Sequence, residues 1–214
     1  MTSPTRFSTY LFDLDGTLID SIALILESYR HTLRTHRGAT PGDDVWLAGL
    51  GTPLWAQFRH FTDDAGEIEA MVATYRDYNL ANHDRMVRPY PGVEPAVAAL
   101  ARRGQLAVVT SKLRAGAVRG LQHCGLARYF PTIVGADDVH RHKPDPEPVR
   151  KALALLGADA ATAVFVGDSP HDMAAGRAAG VATAAALWGP FDREHLEPQA
   201  PGRWLQTPDQ LATL

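Results

Sequence analysis

Short, largely apolar runs recur along the chain, at residues 7–12, 106–109, 132–134, 163–166 and 181–186. They are too short for helices and too continuous for strands with one wet face, which is how a strand buried on both faces reads. Helical stretches separate several of them. Strand and helix in alternation predict a parallel sheet covered on both sides, and residues 204–206 predict a last edge strand.

Between residues 18 and 88 the period changes. Ile22, Ile25, Leu26, Tyr29 and Leu33, and then Ile68, Met71, Val72 and Tyr75, follow the three-to-four spacing of an apolar helix stripe. The segment is expected to be wholly helical. Gly16 bounds it on one side and Arg88-Pro89-Tyr90-Pro91-Gly92 on the other, so two chain crossings can act as a hinge. The predicted fold class is therefore α/β: a Rossmann-like parallel-sheet core, discontinuous over 1–17 and 89–214, with an inserted all-helical cap over 18–88.

Composition narrows the functional classes. The 214 residues are 45% hydrophobic and 21% charged, the balance of a globular protein in which only the extreme N-terminus need be unstructured. A net charge of -3 without a long block of like charge offers no footprint for nucleic acid or anionic lipid, and favours a small-molecule substrate. No apolar run approaches the ~20 residues of a membrane span, and no N-terminal apolar region reads as a leader. Cys124 is the only cysteine, so no intrachain disulfide forms, and it is expected to pack as a small hydrophobe. The nine histidines show no zinc-ligand spacing. A cytoplasmic monomer or homodimer, without a nucleic-acid or membrane partner, is the expectation. Lysine occurs only at 112, 143 and 151.

The candidate chemistry lies at the strand ends. In Phe12-Asp13-Leu14-Asp15-Gly16-Thr17 two carboxylates two residues apart face the same side of an extended chain. At the carboxyl end of a central strand they lie where open α/β sheets hold ligands. Thr110-Ser111 ends a second strand and offers hydroxyls and free N–H groups to an anion, or in Ser111 a plain helix N-cap. Lys143 sits in His142-Lys143-Pro144-Asp145-Pro146, where the prolines restrict its direction. Asp168 and Asp172 follow a further strand in Gly167-Asp168-Ser169-Pro170-His171-Asp172, with Pro170 suited to a first helical turn. Ser169 and Asp172 can equally be N-terminal capping groups.

Together and in this order, the four segments resemble the motifs of the haloacid dehalogenase superfamily, across essentially the whole chain. The resemblance implies that Asp13 attacks phosphorus to form an aspartyl-phosphate that water hydrolyses. Asp15 then protonates the leaving oxygen and activates the water, Thr110 and Ser111 hold the phosphoryl group, and Lys143 offsets its charge. It implies Mg²⁺ as cofactor, held by Asp13, the main-chain carbonyl of Asp15, and Asp168, with Asp172 orienting Lys143 or a metal-bound water.

Asp15 separates this chain from the dehalogenases, which usually lack that aspartate, and no lysine occurs between residues 18 and 88 to form the Schiff base of phosphonate-cleaving relatives, which excludes that activity unless Lys112 takes the role. Tyr75-Arg76, Asn79 and His83-Asp84, with Arg193-Glu194-His195-Leu196-Glu197, resemble the phosphoglycolate phosphatase branch and its pyrophosphatase members. In the cap, His83 is either a surface residue at a helix end or a substrate contact. Gly51 and Thr52 belong to a loop that is either an interhelical turn or a closure over the site. The expected function is a phosphohydrolase of a small phosphate ester or anhydride. The alternatives are a sugar phosphomutase of the same fold, or a phosphoacceptor or phosphate-sensing domain without turnover.

Overall fold

The computed structural model describes residues 7–214; the first six, expected to be unstructured, lie outside the described residues. Six parallel strands form the sheet: β1 Thr9–Phe12, β4 Gln105–Val109, β5 Thr132–Val134, β6 Ala163–Gly167, β7 Ala182–Ala186 and β8 Arg203–Leu205. Their order is β5-β4-β1-β6-β7-β8. Counted within the sheet alone this is the doubly wound 3-2-1-4-5-6 order, whose ligand crevice opens at the carboxyl ends beside the first strand. Every residue of β1 is buried, as its largely apolar run requires. The first run is trimmed to four residues, because Phe7 and Ser8 precede the ladder.

Helices cover both faces: α5 Val93–Ala101, α6 Arg114–His123, α7 Glu147–Leu156 and α8 Pro170–Ala179. Tyr10, Phe12, Leu106, Val108, Val164 and Val166 pack on one side, and Leu11, Ala107, Val109 and Phe165 on the other. The alternation follows from the pleat, in which successive side chains leave by opposite faces. Cys124 packs half-buried against the first of these layers, and burial pushes its thiol up to about 11.

The inserted segment carries α1 Ile22–Arg37, α2 Asp43–Gly49, α3 Leu54–Phe58 and α4 Ala65–Met86. Ile25, Tyr29, Leu33, Ile68, Met71 and Val72 are buried where the helical spacing puts them. The Tyr29 ring stacks on Trp46 at 3.9 Å and lies 4.8 Å from Tyr75, so aromatic packing joins α1, α2 and α4. The segment is not wholly helical, however. At its base β2 Ile19–Asp20 pairs antiparallel with β3 Arg88–Pro89. The outgoing and returning chains run side by side there, and pairing satisfies backbone groups that two isolated linkers would leave to water.

Candidate active site

Asp13 leaves β1 with its N–H bonded to the Val166 carbonyl at 2.9 Å. The strand stops at Phe12, so Asp13 and Asp15 do not share a strand face. A turn through Gly16, at φ 89, brings both into one cavity of about 440 Å³. Thr110, Ser111, Lys112 and Asp168 line it from the core, and Gly51, Thr52, Tyr75, Arg76, Asn79 and His83 from the inserted helices.

Lys143 and Asp172 do not line the cavity but form a floor beneath it, behind Asp13. The Lys143 Nζ lies 2.6 Å from Asp172 Oδ1 and 2.9 Å from Asp13 Oδ1, with only 1% of its side chain exposed, and it also donates to the Val109 carbonyl at 3.4 Å. Burial alone would depress the ammonium, but Asp13 and Asp172 outweigh it and hold Lys143 above its ordinary pKa. Among the described residues, the Lys143 ammonium is the cation that Asp13 Oδ1 meets in its buried position. Burial pushes the Asp13 carboxyl up to about 7, with Asp172 and Asp15 adding to the effect and Lys143 opposing it.

Asp172 does two jobs. Its Oδ1 holds Lys143, while Oδ2 accepts from the Ser169 N–H at 3.0 Å and the Ser169 hydroxyl at 2.6 Å. Ser169 caps α8 in return, and Pro170 takes the first helical position. A Cβ at Gly167 would come within 2.4 Å of Asp172 Cβ, so glycine is what lets this carboxylate reach the lysine.

Asp168 accepts from Thr17 Oγ1 at 2.5 Å. It is cradled by two glycines: a Cβ at Gly16 would sit 2.5 Å from Asp168 Oδ2, and one at Gly189 2.4 Å from its Cβ. Burial raises its carboxyl well above the usual range, with Asp13 and Asp172 adding.

Among the described residues, Asp13, Asp168 and Asp172 offer carboxylate oxygens that lie within 4.8 Å of one another. With Asp15, four carboxylates face only Lys143 and Lys112 around the floor. An all-oxygen donor set, and Asp13 and Asp168 carboxyls raised first by burial and then by neighbouring carboxylates, fit a hard divalent cation. The Asp172 oxygens are already engaged, and the Asp15 carboxylate stands outside the group. Asp13 and Asp168 are thus the side chains that fit such an ion best.

Asp15 is bound differently. It accepts from Lys112 Nζ at 2.7 Å and from Ser21 Oγ at 2.5 Å. Burial works to raise its pKa, yet Lys112 and Ser21 together hold it below the ordinary value. Lys112, weighed in the sequence only as a Schiff-base lysine, is instead the partner of Asp15; it directly follows Thr110-Ser111 and is one of only three lysines.

Ser111 is not a helix cap: α6 begins at Arg114 after Leu113, and the Ser111 hydroxyl donates to the Gly51 carbonyl. Thr110 is buried, and its Oγ1 accepts from the Lys112 N–H at 3.2 Å. The 49–53 loop is therefore held from both sides, since Gln57 Nε2 donates to the Thr52 carbonyl at 3.1 Å. A Cβ at Gly51, where φ is 90, would meet Ser169 Oγ at 2.9 Å. His83 is buried rather than on the surface. Its Nδ1 donates to Asp84 at 2.8 Å while Nε2 has no partner, because α4 packs its last turns against α6 near Gly120. Burial lowers its pKa. Residues 193–197 do not line the cavity.

The sequence profile of the haloacid dehalogenase-like hydrolase family matches residues 10–186. The chain is 44% identical over 180 residues to pyrophosphatase PpaX of Halalkalibacterium halodurans, covering 84% of this chain and 83% of that one. It is 40% identical over 207 residues to a putative pyrophosphatase PpaX of Caldanaerobacter subterraneus, covering 96% and 93%. Among solved structures, a putative haloacid dehalogenase-like hydrolase from Bacteroides fragilis superposes with a TM-score of 0.90 at 27% identity, over 96% of this chain and all of that one. The profile runs unbroken from β1 through β7, taking in every strand end that lines the cavity, and on that footing the chain belongs to the haloacid dehalogenase-like hydrolase family.

Proposed function

We propose that this hydrolase is a Mg²⁺-dependent phosphohydrolase that transfers a phosphoryl group to Asp13 and then to water, with inorganic pyrophosphate as its first substrate and phosphoglycolate-like esters behind it. The observation that carries the reading is the Lys143 ammonium enclosed between Asp13 and Asp172, next to the cavity that Asp13 lines. A carboxylate so placed is an oriented nucleophile whose own charge is offset.

In the first step an Asp13 oxygen bonds to phosphorus as the bond to the leaving oxygen breaks. Thr110, Ser111 and Lys143 hold the phosphoryl oxygens, and Asp15 stands at the leaving oxygen. In the second, Asp15 takes a proton from water as that water attacks phosphorus, releasing phosphate and restoring Asp13. Asp13, the Asp15 carbonyl and Asp168 would hold Mg²⁺, which offsets negative charge on the transferring group.

Two considerations favour an anhydride. Relatives with 44% and 40% identity are named pyrophosphatases. The lowered Asp15 pKa also suits a phosphate leaving group, which departs without a full proton, better than an alkoxide. Residues 18–88 act in this reading as the cap, with Gly51, Thr52 and His83 toward the substrate, and the β2–β3 pair as the hinge.

The test is phosphate release from pyrophosphate, phosphoglycolate, sugar phosphates and an aryl phosphate, with and without Mg²⁺, beside Asp13→Asn. Metal-dependent release that disappears in the variant is expected. A folded protein that releases phosphate from none of them overturns the reading.

A further inference from the structure

Lys112 has one hydrogen-bond acceptor among the described residues, the Asp15 carboxylate, although an ammonium carries three donors. Its side chain is 18% exposed, against 1% for Lys143, and it lines the cavity. Its direction is set by packing: the stem lies across Gly116, where a Cβ would come within 3.3 Å of Lys112 Cγ. The inserted helices bring to the same end Arg76, Asn79 and the buried, unpartnered Nε2 of His83.

We infer that Lys112 selects substrates whose leaving group carries its own negative charge next to the scissile oxygen. The inference rests on the proposed role of Asp15 at the leaving oxygen, because whatever is bonded to Asp15 is then within reach of that group. Four carboxylates already crowd this end of the core, and Lys143 is enclosed between two of them, on the side of the transferring group. Lys112 is the core cation left with donors to spare on the leaving side. An incoming phosphate or carboxylate oxygen takes those donors, whereas a neutral aryl or alkyl group gives them nothing to bind and keeps them desolvated. The substrate class is thereby a phosphoanhydride, or an ester with an adjacent carboxylate.

The experiment compares wild type, Lys112→Met and Lys112→Arg, with Mg²⁺ present, on pyrophosphate and on phenyl phosphate. Losing a charged hydrogen bond should cut kcat/KM for pyrophosphate by about 10- to 100-fold, chiefly through KM, while phenyl phosphate falls about threefold or less. Lys112→Arg should recover most of the selectivity. In parallel, calorimetry measures binding of imidodiphosphate and of orthophosphate to wild type and Lys112→Met. Only imidodiphosphate should weaken by about tenfold or more. Equal losses for both substrates and both ligands would make Lys112 a partner of Asp15 alone and overturn the inference, as would wild type that fails to bind imidodiphosphate. Absence of turnover with every substrate would overturn the proposed hydrolysis separately, and the binding comparison would still decide the role of Lys112.

Discussion

The two ends of the cavity hold their cations in opposite ways. At the floor Lys143 is enclosed, with Asp13, Asp172 and the Val109 carbonyl around a single nitrogen, and Asp172 is itself clamped by the α8 cap. At the other end, the leaving side of the proposed reaction, Lys112 and Asp15 form one partly exposed pair, and the loop above is held to the core by the Ser111 contact with Gly51. The floor charges are buried and paired with one another. The leaving side can exchange partners at small cost, because water reaches it and stands in for a lost contact. Chemistry that every substrate shares belongs where nothing moves, and discrimination between substrates where partners can be exchanged.

The floor can be broken most severely by Asp13→Asn. It should lower kcat on the order of 10³-fold or more while the protein stays folded; phosphate release checks it, and retention of more than a tenth of the rate would remove Asp13 as nucleophile. Lys143→Met comes next. It strands two buried carboxylates, so urea unfolding should show a loss of about 3–5 kcal/mol, against a smaller loss of about 1–2 kcal/mol for Lys112→Met, where Ser21 still donates to the partly exposed Asp15 carboxylate. Equal losses would abolish the distinction between the two ends.

The raised carboxyls sharpen the comparison through pH. A carboxyl with a folded pKa of about 7 binds its proton more tightly folded than unfolded, so ν_U − ν_N is negative between the model-peptide value and about 7. Stability of metal-stripped protein should therefore fall as pH rises through that window. Added Mg²⁺ should restore it most at the upper end, since it competes with the proton for Asp13 and Asp168. Urea midpoints from pH 5 to 8, with and without the ion, test this; a stripped protein that grows more stable with pH would refute it.

At the loop, Gly51→Ala forces a side chain into the left-handed region and against Ser169. A cost of about 1–2 kcal/mol, with KM raised about fivefold or more and kcat less affected, is expected from steady-state kinetics. The smallest effect belongs to Cys124→Ala, since the Cys124 side chain packs against the core layer and does not line the cavity. Activity should be unchanged, and the wild-type thiol, pushed up to about 11, should alkylate slowly at pH 8.

Much of the fold was legible because buried parallel strands and amphipathic helices leave opposite signatures in one dimension. The runs at 106–109, 132–134 and 181–186 became β4, β5 and β7 to within a residue at either end. The antiparallel β2–β3 pair was illegible, since two-residue strands have no period to read and form only because the crossings lie side by side. At the site, Asp13, Asp15, Thr110, Ser111 and Asp168 were drawn to one cavity, with Lys143 and Asp172 joined at its floor. What the residues alone concealed was their partners. The burial of His83 and the pairing of Lys112 with Asp15 across 97 positions depend on contacts between distant segments, whereas the two roles open to Asp172, capping α8 and orienting Lys143, were both expected and are both met.

By itself, then, the chain determined its alternation of strands and helices, the inserted helical segment and the residue types at each strand end, because these follow from local period and composition. Only the tertiary structure decided which carboxylate each lysine serves, which aspartates share a site fit for a cation, and that Gly51 rests on Ser169. Charge pairing and burial are properties of distance in space, and the same lysine or aspartate reads alike in sequence whether a partner meets it or not.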